Sequence, residues 1–221
     1  MSLKARLAVH FSLALIVFTS LLFIPAGSWK FWQGWVVLVI WFMPGLAAGI
    51  FFYKRDPELL ERRMRAKEKV REQKLIMTCF YAIFLISFVL PGLDHRFGWS
   101  RPPLWLTLLG QVLLLASYLM TFWVVRVNRF ASRTIQVDPG QTVISTGPYR
   151  IVRHPMYLGG SVMLLAMPLA LGSYWALPAF ALLIPALVLR LLNEEKILRQ
   201  ELPGYSAYCL RTRFRLVPFL W

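Results

Sequence analysis

MYLGGSVMLLAMPLALGSYWALPAFALLIPALVLRLL, residues Met156–Leu192, carries one charged side chain, Arg190, and is too long for an ordinary membrane span of about 20 residues. Gly172-Ser173-Tyr174 interrupts it, so the sequence predicts two short helices, Met156–Leu171 and Tyr174–Leu192, folded as a hairpin. Four further apolar stretches precede it: Leu7–Pro25, Phe31–Tyr53, Leu75–Leu93 and Leu104–Val125. With 58% hydrophobic residues, nine Trp and sixteen Phe, the chain far exceeds the apolar share of a soluble domain. The fold class expected is therefore all-α: a polytopic membrane helical bundle of about four long spans plus the C-terminal hairpin. Lys4 and Arg6 before the first apolar stretch would also suit a signal peptide, but Phe23–Ser28 is a weak cleavage match and a multi-span protein commonly keeps its first helix.

The formal net charge is +15, which in a soluble chain would point to nucleic acid. Its distribution points elsewhere. With the N-terminus in the cytoplasm, 22 of the 25 Lys and Arg residues fall on that side, and only Lys30, Arg96 and Arg101 on the other. This is the positive-inside asymmetry, and it also favours contact with anionic membrane lipids. No nucleic-acid partner is expected. Both termini and the C-terminal polar motifs are expected in the cytoplasm, in a bacterial inner membrane.

Residues 1–145 read as transmembrane scaffold and 146–221 as the region carrying chemistry. The charged run Lys54–Lys74 has Leu59, Leu60, Met64 and Val70 spaced to share one helical face, as in an interfacial helix, although a solvated connector has the same composition. Pro44-Gly45 is expected to kink the second span. Thr134–Val137 and Thr142–Ile144, around Asp138-Pro139-Gly140, form a weak hairpin signal. Cys79 lies in an apolar segment and Cys209 in the tail, which reads as two ordinary thiols; no Cys–His spacing suggests a metal.

Thr146–Gly160, TGPYRIVRHPMYLGG, is the densest polar motif. Gly147-Pro148 marks a turn, and Pro155 excludes His154 from helical geometry while suiting the first position of a helix. The helix start beside Arg153 and His154 would offer N–H groups and a positive dipole end to an anion. Gly159 and Gly160 each cost about 1 kcal/mol relative to Ala in a helix, so they point to a close approach by a ligand or a neighbouring helix. Tyr149, Arg150, Arg153 and Tyr157 also suit simple anchoring at the membrane interface. Glu194-Glu195 closes the far side of the hairpin, where Arg190, Lys196 and Arg199 can pair with it, or where it could hold a cation. The helix bearing the pair can run to Leu202 before Pro203-Gly204 stops it.

Together these residues resemble the isoprenylcysteine carboxyl methyltransferase family and its bacterial relatives, within the wider group that includes the phospholipid N-methyltransferases. The resemblance rests on Gly147-Pro148-Tyr149, Arg153-His154-Pro155-Met156-Tyr157, Gly159, Glu194-Glu195, Tyr205-x-x-Tyr208 and a basic tail containing Pro218. It covers residues 143–218, and Asp56–Arg63 also looks like bacterial members. It implies a cytoplasm-facing S-adenosyl-L-methionine site between the Arg-His-Pro-x-Tyr motif and the glutamate pair, formed by Tyr149, His154, Pro155, Tyr157, Leu158, Gly159, Glu194 and Glu195. It further implies catalytic roles for Arg153, Glu195 and Arg199. A lipophilic or lipidated acceptor, such as a prenylated cysteine carboxylate, would enter from the bilayer and meet Tyr205, Tyr208, Arg211 and Arg213. A carboxylate acceptor needs orienting by an arginine (Arg199, Arg211 or Arg213), whereas an amine or thiol needs a proton acceptor such as Glu195. No Gly-x-Gly-x-x-Gly follows a strand, so a soluble Rossmann architecture is not expected.

Two other readings stand beside this one. Membrane sterol reductases resemble the same C-terminal region and use NADPH, but with an Arg-x-x-Asn-Tyr-type motif where this chain has Pro155-Met156-Tyr157. A membrane scaffold or transporter subunit is the non-enzymatic reading; the lack of charge deep in the first four spans lends little to a solute pathway.

Overall fold

The computed structural model describes residues 2–65, 71–130, 137 and 139–221, and over these it is helical, without a strand. The hairpin expected around residues 134–144 falls partly outside the described residues; Val137 and residues 139–145 form no strand. Ser2 caps α1 (Leu3–Ala26), its hydroxyl accepting from the Ala5 N–H at 3.3 Å, and Gly27 ends it in the left-handed conformation. α2 (Trp32–Arg55) continues through Pro44 as one helix. The charged run begins with α3 (Pro57–Arg65), whose Leu59 is buried against Phe52 and Val125. Val70, the last residue of the expected interfacial face, lies outside the described residues.

The third apolar stretch is two helices, α4 (Arg71–Ser87) and α5 (Val89–Phe97), broken at the buried Phe88. α6 (Leu104–Val127) follows. The expected hairpin is present with altered bounds. α7 (Pro155–Ala170) ends before Gly172, whose φ of 72° requires glycine. The return is not one helix from Tyr174: a short α8 (Leu177–Ala181) precedes α9 (Ile184–Glu201), each with a proline in its first positions. Gly204 separates α9 from α10 (Tyr205–Arg211).

Among the described residues, five helical segments are long and apolar enough to cross a membrane: Leu3–Ala26, Trp32–Arg55, Met77–Phe97, Leu104–Val127 and Leu177–Glu201. α7 has 16 residues, about 24 Å of helix against a hydrocarbon thickness of about 30 Å. An aromatic cluster joins α1, α4 and α8: Phe18 lies 4.9 Å and Phe180 5.3 Å from Phe88, both edge-on. Arg6–Glu61 at 3.4 Å and Arg129–Asp56 at 2.8 Å bring the start of α1, α3 and the end of α6 to one end of the bundle. Burial acts against the Asp56 carboxylate, but Arg129, the Leu59 N–H and Arg62 outweigh it and hold its pKa below the usual value.

The most extensive helix pair is α6 with α7. A Cβ on Gly110 would lie 2.5 Å from the Ala170 nitrogen, and one on Gly159 would lie 3.2 Å from Thr121 Oγ1. At the end opposite the polar motifs, buried Asp94 accepts from the Ser100 N–H and hydroxyl, both at 2.6 Å, and from the Ser173 hydroxyl. Gly110→Ala should therefore destabilise the bundle by about 1–3 kcal/mol through overpacking. Gly49→Ala, with open space around its Cβ, should be neutral or slightly stabilising. Thermal unfolding of the two variants in detergent compares them directly.

Candidate active site

Beyond Asn128, which caps α6, the chain returns to the bundle through a 3₁₀ turn, Gly147–Arg150. His154 (φ −125°, ψ 63°) is non-helical, and α7 starts at Pro155, as the sequence predicts. The helix start is not an open anion site, however. The Arg153 and His154 N–H groups donate to the carbonyls of Phe214 and Arg215 at 2.9 and 3.0 Å, and those of Tyr157 and Leu158 donate to the His154 carbonyl, both at 3.1 Å. The C-terminal tail thus takes the two N–H groups just before the helix, while Pro155, Met156 and Tyr157 of its first turn border a cavity.

The cavity lies on the other side of these residues and has a volume of about 320 Å³. Met77 and Tyr81 of α4, Met163 of α7 and Leu187 of α9 line its apolar part. Tyr149, Arg153, His154, Tyr157, Arg190 and Glu194 line its polar part, closed by Tyr205 and Tyr208 of α10. Arg190, Glu194 and Leu198 recur every four residues, so one face of α9 supplies them all. The cavity also draws on Met77, Tyr81, Thr121 and Asn128, so it is not built from residues 146–221 alone.

Tyr157 donates its hydroxyl to Glu194 Oε2 at 2.6 Å, and Arg190 lies within hydrogen-bonding reach of the same hydroxyl. The Tyr205 hydroxyl stands 3.4 Å from His154 Nε2. Asn128 donates to the Tyr149 hydroxyl at 2.9 Å, while Tyr208 donates to the Tyr149 carbonyl at 2.7 Å. Burial lowers the His154 pKa, an effect that Glu194 and Glu195 only partly oppose. Burial also pushes the Tyr149 hydroxyl up to about 12 and raises those of Tyr205 and Tyr208. All four are neutral near pH 7.

Of the residues expected in the site, Tyr149, Arg153, His154, Pro155, Tyr157, Glu194, Tyr205 and Tyr208 line this cavity; Leu158, Gly159, Glu195, Arg199, Arg211 and Arg213 do not. Gly159 faces α6, the helix-packing reading of that residue. Glu195 is buried in contact with Arg153, with Arg215 at 2.6 Å and Arg199 at 3.4 Å. That environment stabilises a permanent carboxylate rather than a proton acceptor. Arg211 and Arg213 are exposed, although the Arg213 carbonyl accepts from Arg153 at 3.0 Å. Sequence reasoning did not place Asn128, Arg190 or Arg215 in the site. Arg190 had a legible signal, its spacing of four from Glu194; the other two had none. Among the described residues, no group of three or more His, Cys, Asp or Glu could hold a metal ion.

Residues 105–203 match the phospholipid methyltransferase family model (PEMT). The match spans α6 to the end of α9 and stops before Tyr205, Tyr208 and Arg215. The chain is 31% identical over 91 residues to "Delta(14)-sterol reductase TM7SF2" of Mus musculus, covering 40% of this chain and 22% of that protein. It is 30% identical over 134 residues to "Cobalt-zinc-cadmium resistance protein CzcN" of Cupriavidus metallidurans, covering 58% of each. The chain thus spans less than two thirds of either relative.

His154 gives the site a pH signature. Its folded pKa lies below the ordinary 6.5, so between those values the unfolded chain binds more protons and stability rises with pH. On acidification the wild type should lose stability from about pH 6.5 downward, at most about 1.4 kcal/mol per pH unit, and level off below the folded pKa. Thermal unfolding from pH 8 to pH 5 should show a shallower dependence in His154→Gln.

Proposed function

We propose that this chain is an integral membrane S-adenosyl-L-methionine-dependent methyltransferase acting on a lipophilic carboxylate, of which a prenylated cysteine is one example. The observation that carries the reading is a cavity lined both by apolar side chains, among them Met77, Met163 and Leu187, and by Arg190 and Glu194, which stand one turn apart on a single helix face. The phospholipid methyltransferase match over residues 105–203 supports the reaction class. The lysine and arginine asymmetry supports a cytoplasm-facing site in a bacterial inner membrane.

The residues fit the cofactor. A volume of about 320 Å³ is within the range of small-molecule sites, about 300–1,000 Å³. A carboxylate has about four acceptor positions, and the Tyr157 hydroxyl takes one of those on Glu194, so an ammonium or ribose hydroxyls can use the rest. Arg153 Nε is buried without a protein partner, a donor suited to a ligand carboxylate. The neutral rings of Tyr149, Tyr205 and Tyr208 offer faces that attract a cation. When bound, the cofactor supplies an electrophilic methyl group on a sulfonium.

The protein's part is alignment and the exclusion of water. Met77, Met163 and Leu187 receive the acceptor's hydrocarbon, and Arg190 orients its carboxylate. A carboxylate carries no proton to remove, so Glu195 can remain an ion-pair partner.

Calorimetry on the detergent-purified protein should show saturable S-adenosyl-L-methionine binding, lost in His154→Ala and Glu194→Ala. Arg190→Ala should keep cofactor binding but lower kcat/KM for a prenylated cysteine acceptor by about 100-fold or more, the loss of a charge-assisted contact. No binding by folded wild type would refute the reading. A second reading, a membrane NADPH-dependent reductase, is favoured by the identity with a protein named as a sterol reductase. Saturable NADPH binding in the same instrument would bring it forward.

A further inference from the structure

Residues 212–221 form a strap that lines no part of the cavity but holds two residues that do. The Phe214 and Arg215 carbonyls receive the Arg153 and His154 N–H groups, and the Arg213 carbonyl receives Arg153 Nη2. Two strap side chains add to this: the Thr212 hydroxyl donates to the Tyr149 carbonyl at 3.3 Å, and Arg215 makes the strap's ion pair with Glu195. Glu195, 3% exposed, presents Oε1 to Arg153 and Oε2 to Arg215 Nε at 2.6 Å. Arg199, the third arginine, is more distant at 3.4 Å and largely exposed. The strap also folds on itself: the Leu216 and Val217 N–H groups reach the Trp221 carbonyl at 2.9 and 3.0 Å, and the Arg215 guanidinium lies 5.4 Å from the Trp221 ring.

We infer that Arg215 and Glu195 are positioning residues that clasp the strap behind the start of α7 and thereby set Arg153 and His154 toward the cavity. The physical argument is asymmetric. Arg153 is buried, so its guanidinium needs a buried counter-charge, and Glu195 supplies it. Glu195 in turn needs hydrogen bonds on both oxygens. Arg215 supplies the second one from the strap, so the burial of one ion pair becomes the attachment of a chain segment. Removing Arg215 leaves the pair half-satisfied and the strap without its ion pair, held by its backbone bonds, the Arg153 bond to the Arg213 carbonyl and the Thr212 hydroxyl on the Tyr149 carbonyl. The functional half of this inference rests on the cofactor reading above; the structural half does not.

The test therefore has two arms. In the first, hydrogen–deuterium exchange is followed without ligand in wild type, Arg215→Ala, Arg215→Lys and Glu195→Gln. The Arg153 and His154 amides should exchange about 10-fold faster in Arg215→Ala and Glu195→Gln, with partial rescue in Arg215→Lys and α1 and α2 unchanged. In the second, S-adenosyl-L-methionine affinity should fall about 10-fold in each of Arg215→Ala and Glu195→Gln, and no further in the double variant, because the two residues act as one unit. Unchanged protection in Arg215→Ala, additive losses, or a loss of protection spread equally over α1 and α2 would overturn the clasp. A wild type that binds no S-adenosyl-L-methionine would instead remove the cofactor reading and leave the exchange result standing.

Discussion

Gly110 and Gly159 govern how α6 and α7 lie against one another, because a side chain at Gly110 would collide with backbone and one at Gly159 would crowd Thr121. The pairing of Gly110 with Ala170, and of Gly159 with Thr121, defines one antiparallel register. In that register Pro155 stands beside the last turn of α6, and Ala170 stops well inside the other end. The length that α7 lacks is missing at the end away from the cavity. Residues 171–176 fill the gap as a turn that buries Leu171, Ser173 and Ala176 and exposes Tyr174 and Trp175, and its buried polar backbone groups need partners. Gln111 answers the Ala170 carbonyl at 3.3 Å, the Ser173 N–H returns to the Pro168 carbonyl at 2.9 Å, and Asp94 gathers Ser173 and Ser100.

Among the described residues, two carboxylates are buried, in different settings. Asp94 is satisfied by hydroxyl and amide donors of neutral residues, whereas Glu195 is satisfied by arginines. Glu195 does not line the cavity and takes Arg153 as its counter-ion, so Glu194 is the carboxylate among the lining residues, beside Arg63, Arg153 and Arg190. Two adjacent glutamates divide their tasks because successive residues of a helix point about 100° apart.

The apolar spans were legible because hydrocarbon requires about 20 apolar residues and tolerates little else. α1, α2 and α6 lie within a few residues of their expected bounds for that reason. Gly172 announced its turn, since few other residues adopt its backbone conformation, and Pro155 announced a helix start. The break at Phe88 had a signal that went unread: Pro91 offers no N–H and its ring crowds the carbonyl of Ser87, where α4 ends, and packing against Phe18 and Phe180 then buries Phe88. Of the site, the residues around His154 and Glu194 could be read from local chemistry. The orientation of Glu195, the part played by Arg215 and the contribution of Asn128 depend on how distant segments meet. Composition told that the tail is basic, but not which of its arginines turns inward.

The brevity of α7 bears on how the protein is made. A segment of about 24 Å cannot bridge about 30 Å of hydrocarbon by itself, so α7 has no stable transmembrane position until a neighbour shelters its far end. α6 is synthesised first and offers the groove at Gly110; α8 and α9 follow and cover the buried turn. The spans through α6 can therefore settle in the bilayer before the cavity exists, and its lining is complete only when Tyr205 and Tyr208 have emerged from the ribosome. A chain halted before α8 would therefore leave α7 without the cover that its far end lacks in its own length.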